Sequence, residues 1–240
     1  MVTAVNGSSE LTAELKLLSD SFESKQPQDV LSAALERYTP KIVVACSFGA
    51  EDVVLVDMVH RINPSVPLLY LDTDFLFPET YATRDCIIQQ YDLKPSQVLQ
   101  VKSLLTPERQ AEKHGESLWS REPDRCCQLR KIEPLTRALM GFSAWITGIR
   151  RDQAPSRANA GLIEWDQKFK LVKVNPLARW SWADVWTYIR IYDVPYNPLH
   201  DQNYPSIGCT HCTAPVEPGD DARAGRWKNF AKTECGLHKP

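Results

Sequence analysis

Four short apolar runs, Ile42-Val43-Val44-Ala45-Cys46, Leu68-Leu69-Tyr70-Leu71, Val98-Leu99-Gln100-Val101 and Ala144-Trp145-Ile146-Thr147, are separated by stretches with helical character. Strands alternating with helices imply a parallel sheet, because a parallel pair needs a crossover and the crossover helix covers a face of the sheet. Helices are expected over 52–62 and 78–91, and a third opens at Thr106-Pro107-Glu108, where a capping threonine precedes a proline suited to the first helical turn. Two more precede the first strand, carried by Leu11, Leu15, Leu18 and Phe22 and then by Leu31, Ala34, Leu35 and Tyr38. Residues Gly161 to Val174 predict a hairpin turning near Asp166-Gln167 and stopped by Pro176. Ser181-Trp182-Ala183-Asp184 starts a helix in capping-box fashion, and its Trp182, Trp186 and Ile189 face is assigned to the core. The expected fold is α/β: an open, mostly parallel twisted sheet flanked by helices. One domain is expected over 1–232, its core starting near 41, with a mobile tail at 233–240.

A formal charge of −2 and a pI near 6.2 leave no basic footprint for nucleic acid. No apolar run approaches membrane-spanning length, and the first ten residues carry neither a basic nor an apolar signal segment, so a cytoplasmic chain is expected. Any anion site must then be local. In a reducing compartment, closely spaced cysteines indicate metal or redox chemistry more often than disulfides. Of seven cysteines, four pair up as Cys126-Cys127 and Cys209-Thr210-His211-Cys212, while Cys46 and Cys86 fall in an expected strand and helix and are assigned to the core.

A structural zinc site usually draws on two C-x-x-C pairs. Adjacent thiolates on a helix diverge by about 100° and grip one small ion poorly, whereas a cubane offers several irons to which they can reach separately. The spacing therefore favours a [4Fe–4S] cluster on Cys126, Cys127, Cys209 and Cys212, with zinc or a structural thiol pair as alternatives. Arg130 and Lys131 each follow one of the vicinal cysteines by four residues, which puts cations beside the thiolates. The seventh cysteine, Cys235, stands in the polar terminal run Glu234-Cys235-Gly236-Leu237-His238, where core packing does not explain it; it is either a spare surface thiol or a nucleophile.

In an open parallel sheet, ligands sit beyond the carboxyl ends of the strands. Two loops answer to that place. Ser47-Phe48-Gly49-Ala50-Glu51-Asp52 follows the first strand and enters a helix, whose N-terminal amides suit an anion, and Asp72-Thr73-Asp74-Phe75 follows the second. Together they suggest a nucleotide pocket.

These motifs, with Phe77-Pro78-Glu79-Thr80-Tyr81, Gly148-Ile149-Arg150-Arg151-Asp152-Gln153 and Arg223-Ala224-Gly225-Arg226-Trp227, resemble those of a sulfonucleotide reductase. The cysteine pattern is similar to the iron–sulfur branch that acts on adenosine 5′-phosphosulfate (APS). The resemblance runs from about Lys41 to the C-terminus. It implies a fold like that of the ATP pyrophosphatases, with a [4Fe–4S] cluster. It also implies attack by Cys235 on the sulfur of APS, giving AMP and an S-sulfocysteine from which thioredoxin releases sulfite. Substrate contacts implied by the motifs are Ser47, Phe48, Gly49, Asp72, Thr73, Lys131, Gly148, Arg150, Arg151, Arg157, Arg223 and Arg226. His238 would assist Cys235, Gly236 would let the tail bend, and a homo-oligomer is allowed. The phosphate loop of ATP pyrophosphatases reads like Ser-Gly-Gly-x-Asp-Ser, and the loop here lacks one of those glycines, which argues against ATP cleavage. Other readings are action on the 3′-phosphorylated nucleotide (PAPS), a thiolating enzyme, or a non-catalytic iron–sulfur or zinc module.

Overall fold

In a computed structural model, the described residues are 3–228, 230, 232 and 234–237, with the side chains of 3–9 left aside. Helices α1 (Thr3–Ser21) and α2 (Pro27–Tyr38) lead into strand β1 (Ile42–Ala45). Then follow α3 (Ala50–Ile62), β2 (Leu68–Asp72), α4 (Pro78–Gln90) and β3 (Val98–Lys102). Three short helices, α5 (Pro107–His114), α6 (Leu118–Arg121) and α7 (Pro123–Cys127), run into a π-helical turn at Gln128–Ile132 and then α8 (Glu133–Leu139). Strand β4 (Ala144–Ile146), the hairpin β5 (Ile163–Asp166) and β6 (Leu171–Val174), and helix α9 (Trp182–Tyr192) complete the regular structure.

The strand order is β3-β2-β1-β4-β6-β5, parallel throughout except for the edge strand β5. The chain winds outward from β1 to β3 and then returns to β1's other side as β4. That reversal opens a crevice between the carboxyl ends of β1 and β4, the place where such sheets bind ligands. Ile42, Val43 and Val44 are all buried, as a central parallel strand covered on both faces requires.

The main core lies between this sheet and α2, α3 and α9. Helix α3 buries Val53 to Val59 without a break, Asp57 included. That carboxylate is satisfied, accepting hydrogen bonds from Tyr188 (2.6 Å), Tyr91 (2.9 Å) and Arg61 Nε (2.7 Å). Ser181 caps α9 through the reciprocal bonds expected with Asp184, and Trp182 and Trp186 pack, partly buried, against the core. Helix α1 lies on β5, where Ser19 Oγ accepts the amides of Leu162 (2.9 Å) and Ile163 (3.3 Å). The expected helices and hairpin form, although α3 begins two residues earlier than the sequence suggested.

One core assignment is corrected. Cys86 is exposed, because α4 buries Thr80, Thr83 and Ile87, and Cys86 falls off that face. No helix is long and apolar enough to cross a membrane among the described residues.

Candidate active site

The crevice at the β1–β4 switch opens into a cavity of about 380 Å³. One wall is the loop after β1. Phe48 adopts a left-handed backbone (φ 60°), unusual for a bulky residue, and its ring is buried edge-on to Tyr70 at 5.5 Å. Ser47 donates to Asp52 Oδ2 from both its amide and its hydroxyl (2.6 Å each), which closes the loop over the start of α3.

The loop after β4 meets it. Gly148 lies so close that a Cβ there would stand 2.4 Å from Asp52 Oδ1 and 2.9 Å from Glu51 Cβ. Arg150 is buried over the Trp182 ring, held by Glu51 (Nε to Oε1, 3.0 Å) and by Asp152. Burial pushes the Asp52 carboxyl up to about 6, opposed by its bonds from Ser47. Between the ordinary carboxylate pKa and about 6 the folded chain therefore holds a proton that the unfolded chain has released. Stability should fall as pH rises through that window, by at most about 3 kcal/mol at 1.36 kcal/mol per pKa unit. Asp52→Asn is expected to flatten this slope in urea melts at pH 4.5 and 7.

A second cavity lies beside the first, lined by Cys126, Cys127, Cys209 and Cys212 together with Arg130 and Phe75, and Lys131 lines both. The vicinal cysteines stand where α7 passes into the π-helical turn, an irregularity common at functional sites. The 209–212 segment is fastened on two sides. The amide of Thr210 donates to Phe75 O (2.8 Å), and that of Trp227 to Cys212 O (3.2 Å). Thr73 Oγ1 lies 3.3 Å from Cys209 Sγ.

Burial and the neighbouring thiols push Cys126 up to about 12 and Cys212 to about 11. Bare, these two thiols stay protonated at neutral pH; a multivalent cationic centre is what would ionise the set. Among the described residues, no group of three or more such side chains is placed to hold a single metal ion. Four thiols lining one cavity are a donor set that thiophilic metal centres use. The cations are in place as well. Arg130 is buried, paired with Asp74 (2.8 Å) and over the Phe75 ring, and its Nη2 has no hydrogen-bond partner. At Lys131 burial works against the charge, but Cys209, Cys235 and Cys127 outweigh it and hold the ammonium's pKa above its ordinary value.

Residues 234–237 fold over the mouth of the first cavity. Glu234 is 2 % exposed and accepts two bonds from Arg157 (Nε and Nη2, 2.9 Å each) and one from Arg223 Nη2 (3.1 Å). Burial alone would raise its pKa, yet these arginines more than offset that and hold it below the usual carboxylate range. Gly236 bends the chain at φ +84°, Lys168 of the β5–β6 turn donates to its carbonyl (2.5 Å), and Leu237 packs beside the buried Leu69, Leu135 and Trp145. Cys235, partly exposed, thus lines the same cavity as Lys131, Arg223 and Arg226.

The cavity gathers Ser47, Phe48, Gly49, Thr73, Lys131, Gly148, Arg150, Arg157, Arg223, Arg226 and Cys235. Two of the expected contacts are placed elsewhere. Arg151 points away, its guanidinium forked onto Glu23 (3.0 and 2.5 Å). Asp72 serves the loop frame, accepting from Tyr81 (2.7 Å), Gln100 (2.6 Å) and the Asp74 amide (3.0 Å). His238 lies outside the described residues. Sequence reading missed Glu234's clamp and Glu51, which accepts from both Arg150 Nε (3.0 Å) and Gln153 Nε2 (2.8 Å); the first had a signal in its adjacency to Cys235.

Residues 41–215 match the phosphoadenosine phosphosulfate reductase domain. This chain belongs to that reductase family. Curated relatives named adenosine 5′-phosphosulfate reductase include one from Halalkalibacterium halodurans, 46% identical over 92% of this chain and 95% of its own, and one from Bacillus subtilis, 50% identical over 88% and 89%. A phosphoadenylyl-sulfate reductase from Candida auris, solved as a phosphate complex, superposes with a TM-score of 0.74 at 33% identity, covering 83% of this chain and 96% of that one. The reductase fold extends further: an FMN adenylyltransferase from Candida glabrata aligns with a TM-score of 0.57 at 15% identity, over 95% of this chain and 86% of its own, which shows shared architecture alone.

Proposed function

We propose that this family member reduces APS to sulfite and AMP, with Cys235 as nucleophile and thioredoxin as reductant, in sulfate assimilation. The observation that carries this reading is Cys235 docked in a cavity whose wall includes Lys131, Arg223 and Arg226, beside a four-cysteine cavity. The names of the 46–50% identical relatives support APS as the nucleotide.

The Cys235 thiolate attacks the sulfate sulfur, an S–S bond forms, and the bond from that sulfur to the bridging oxygen breaks, its electron pair leaving with AMP. Nucleophile and sulfate are both anionic. At 4 Å two unit charges repel by about 1 kcal/mol in water and several times more at the effective dielectric of a protein. The wall cations answer this by attracting both partners and the charge developing on the leaving phosphate. A thioredoxin thiolate then attacks Cys235 Sγ and releases sulfite. Its second thiol resolves the mixed disulfide, so thioredoxin is oxidised and Cys235 regenerated.

Cys126, Cys127, Cys209 and Cys212 would hold the [4Fe–4S] cluster. When bound, it supplies an electrostatic centre beside Lys131 without changing the electron count of sulfur transfer. Purified protein is expected to contain about four irons and as many acid-labile sulfides per chain; zinc without sulfide would refute the cluster.

The test of function is incubation with sulfur-labelled APS and no reductant. Label should remain bound to Cys235 after denaturation and leave as sulfite on adding thioredoxin. Competition with unlabelled PAPS decides the nucleotide: capture unaffected by an excess of PAPS supports APS, and capture suppressed at equal concentration assigns dual use.

A further inference from the structure

We infer that Glu234 is the positioning residue for Cys235, and that Arg157 serves the tail through Glu234 instead of holding the nucleotide's anion. The inference deepens the proposed function, since it takes Cys235 as the nucleophile.

Each of the three nitrogens of Arg157 already has a partner. Nε and Nη2 form a fork onto the two Glu234 oxygens, and Nη1 donates to Gln153 Oε1 at 2.5 Å. The Glu234 side chain is 3% exposed and that of Arg157 is 9% exposed, so neither charge has bulk water as a substitute partner. A phosphate or sulfate oxygen taking the Nε–Nη2 edge of Arg157 would have to break a bidentate, charge-assisted pair and leave a carboxylate buried without it. Cations without that commitment are near. Lys131 lines the cavity, and Arg226 has one nitrogen on Ser206 and an Nε without a hydrogen-bond partner.

Glu234 also stands immediately before Cys235, and Gly236, whose carbonyl Lys168 holds, stands immediately after it. The two anchors bracket the thiol. One is ionic and joins the tail to the 155–157 turn and to Arg223; the other is a backbone carbonyl held by the β5–β6 turn. A cysteine fixed from both sides loses little further freedom on attack, which is how positioning speeds a reaction. The ionic anchor is also reversible, as a tail that must later meet a second protein requires.

The test compares the full-length, cluster-loaded protein with its Glu234→Gln and Arg157→Gln variants. Hydrogen exchange, read by mass spectrometry on the peptide containing Cys235 to Leu237, should speed at least tenfold in both. Single-turnover capture of sulfur label should slow at least tenfold, while the Kd for AMP moves less than threefold. The double variant should be no worse than Glu234→Gln alone, since that variant already removes the pair with Arg157 along with the bond from Arg223. Unchanged exchange in Glu234→Gln overturns the anchor. A tenfold weaker AMP Kd in Arg157→Gln but not in Glu234→Gln returns Arg157 to the nucleotide. Arg157→Lys, which keeps the charge and loses the fork, covers the case of a poorly folded glutamine variant and is expected to show an intermediate exchange rate. Failure of Cys235 to capture label in the unmodified chain would remove the nucleophile reading and leave the exchange result standing as a fact of tail docking.

Discussion

Replacing Cys235 with serine is expected to abolish covalent capture of sulfur from APS and to lower the rate of sulfite release by about 10⁴-fold or more, the scale on which loss of a nucleophile is felt. The substitution removes one polarisable atom and leaves its surroundings intact. A hydroxyl is not ionised near neutral pH, and an oxygen ester of sulfate offers thioredoxin no S–S bond to exchange. AMP should still bind within about threefold of its original affinity, and the iron content should be unchanged, because neither rests on that sulfur. The other thiols outside the proposed cluster are poor substitutes. Cys46 lines the cavity but is buried, and desolvation together with Asp52 pushes its thiol well above the ordinary range. Cys86 is exposed on α4 and does not line the cavity. Label retained by Cys235→Ser would therefore mean that the assignment of the nucleophile is wrong.

Gly225→Ala is expected to destabilise the chain by about 2–4 kcal/mol in urea denaturation and to reduce turnover more than a hundredfold, for a reason that lies in the backbone. A Cβ on Gly225 would stand 2.0 Å from the carbonyl oxygen of Ala214 and 3.1 Å from its carbon. That contact cannot be relieved by turning a side chain. The two segments are already joined there, since the Ala214 amide donates to Gly225 O (2.9 Å) and Thr213 bridges Arg226. Forcing them apart breaks the join and carries Arg223, Arg226 and Trp227 away from the cavity, and with Trp227 the bond that holds Cys212 O. Iron content should fall along with activity. Gly141→Ala is the matching control: nothing lies within 4 Å of its Cβ position, and stability should move by less than about 0.5 kcal/mol.

The glycine at 225 also shows where sequence reading stops. It was legible as part of an Arg-Ala-Gly-Arg-Trp motif, but the carbonyl that forbids a side chain belongs to residue 214, on a segment with no regular structure. The same holds for the arginines. Arg150 and Arg151 are neighbours with identical chemistry, and nothing local says that one lines the cavity over the Trp182 ring while the other reaches Glu23, 128 positions away. Asp72 is implied as a substrate contact by its motif, and in the fold it accepts from Tyr81 and Gln100. The π-helical turn beneath the vicinal cysteines had no signal at all, since its residues satisfy an ordinary helical pattern.

The alternation of buried strands and covering helices follows from the chain's own periodicity, because apolar runs and amphipathic stretches carry their burial pattern wherever they are placed. The sequence by itself therefore determined the parallel sheet, the ligand-facing loop after β1, the capped start of α9 and the supply of thiols and cations for the chemistry, while the sheet order placed the loop after β4 opposite it. The tertiary structure alone decided how those charges are shared. Glu234 and Arg157 are 77 residues apart, and they meet because the sheet's reversal at β1 brings the β4 loop and the tail to one rim. An ion pair depends on distance in space, and charge written along a chain does not say which partner folding will bring within reach.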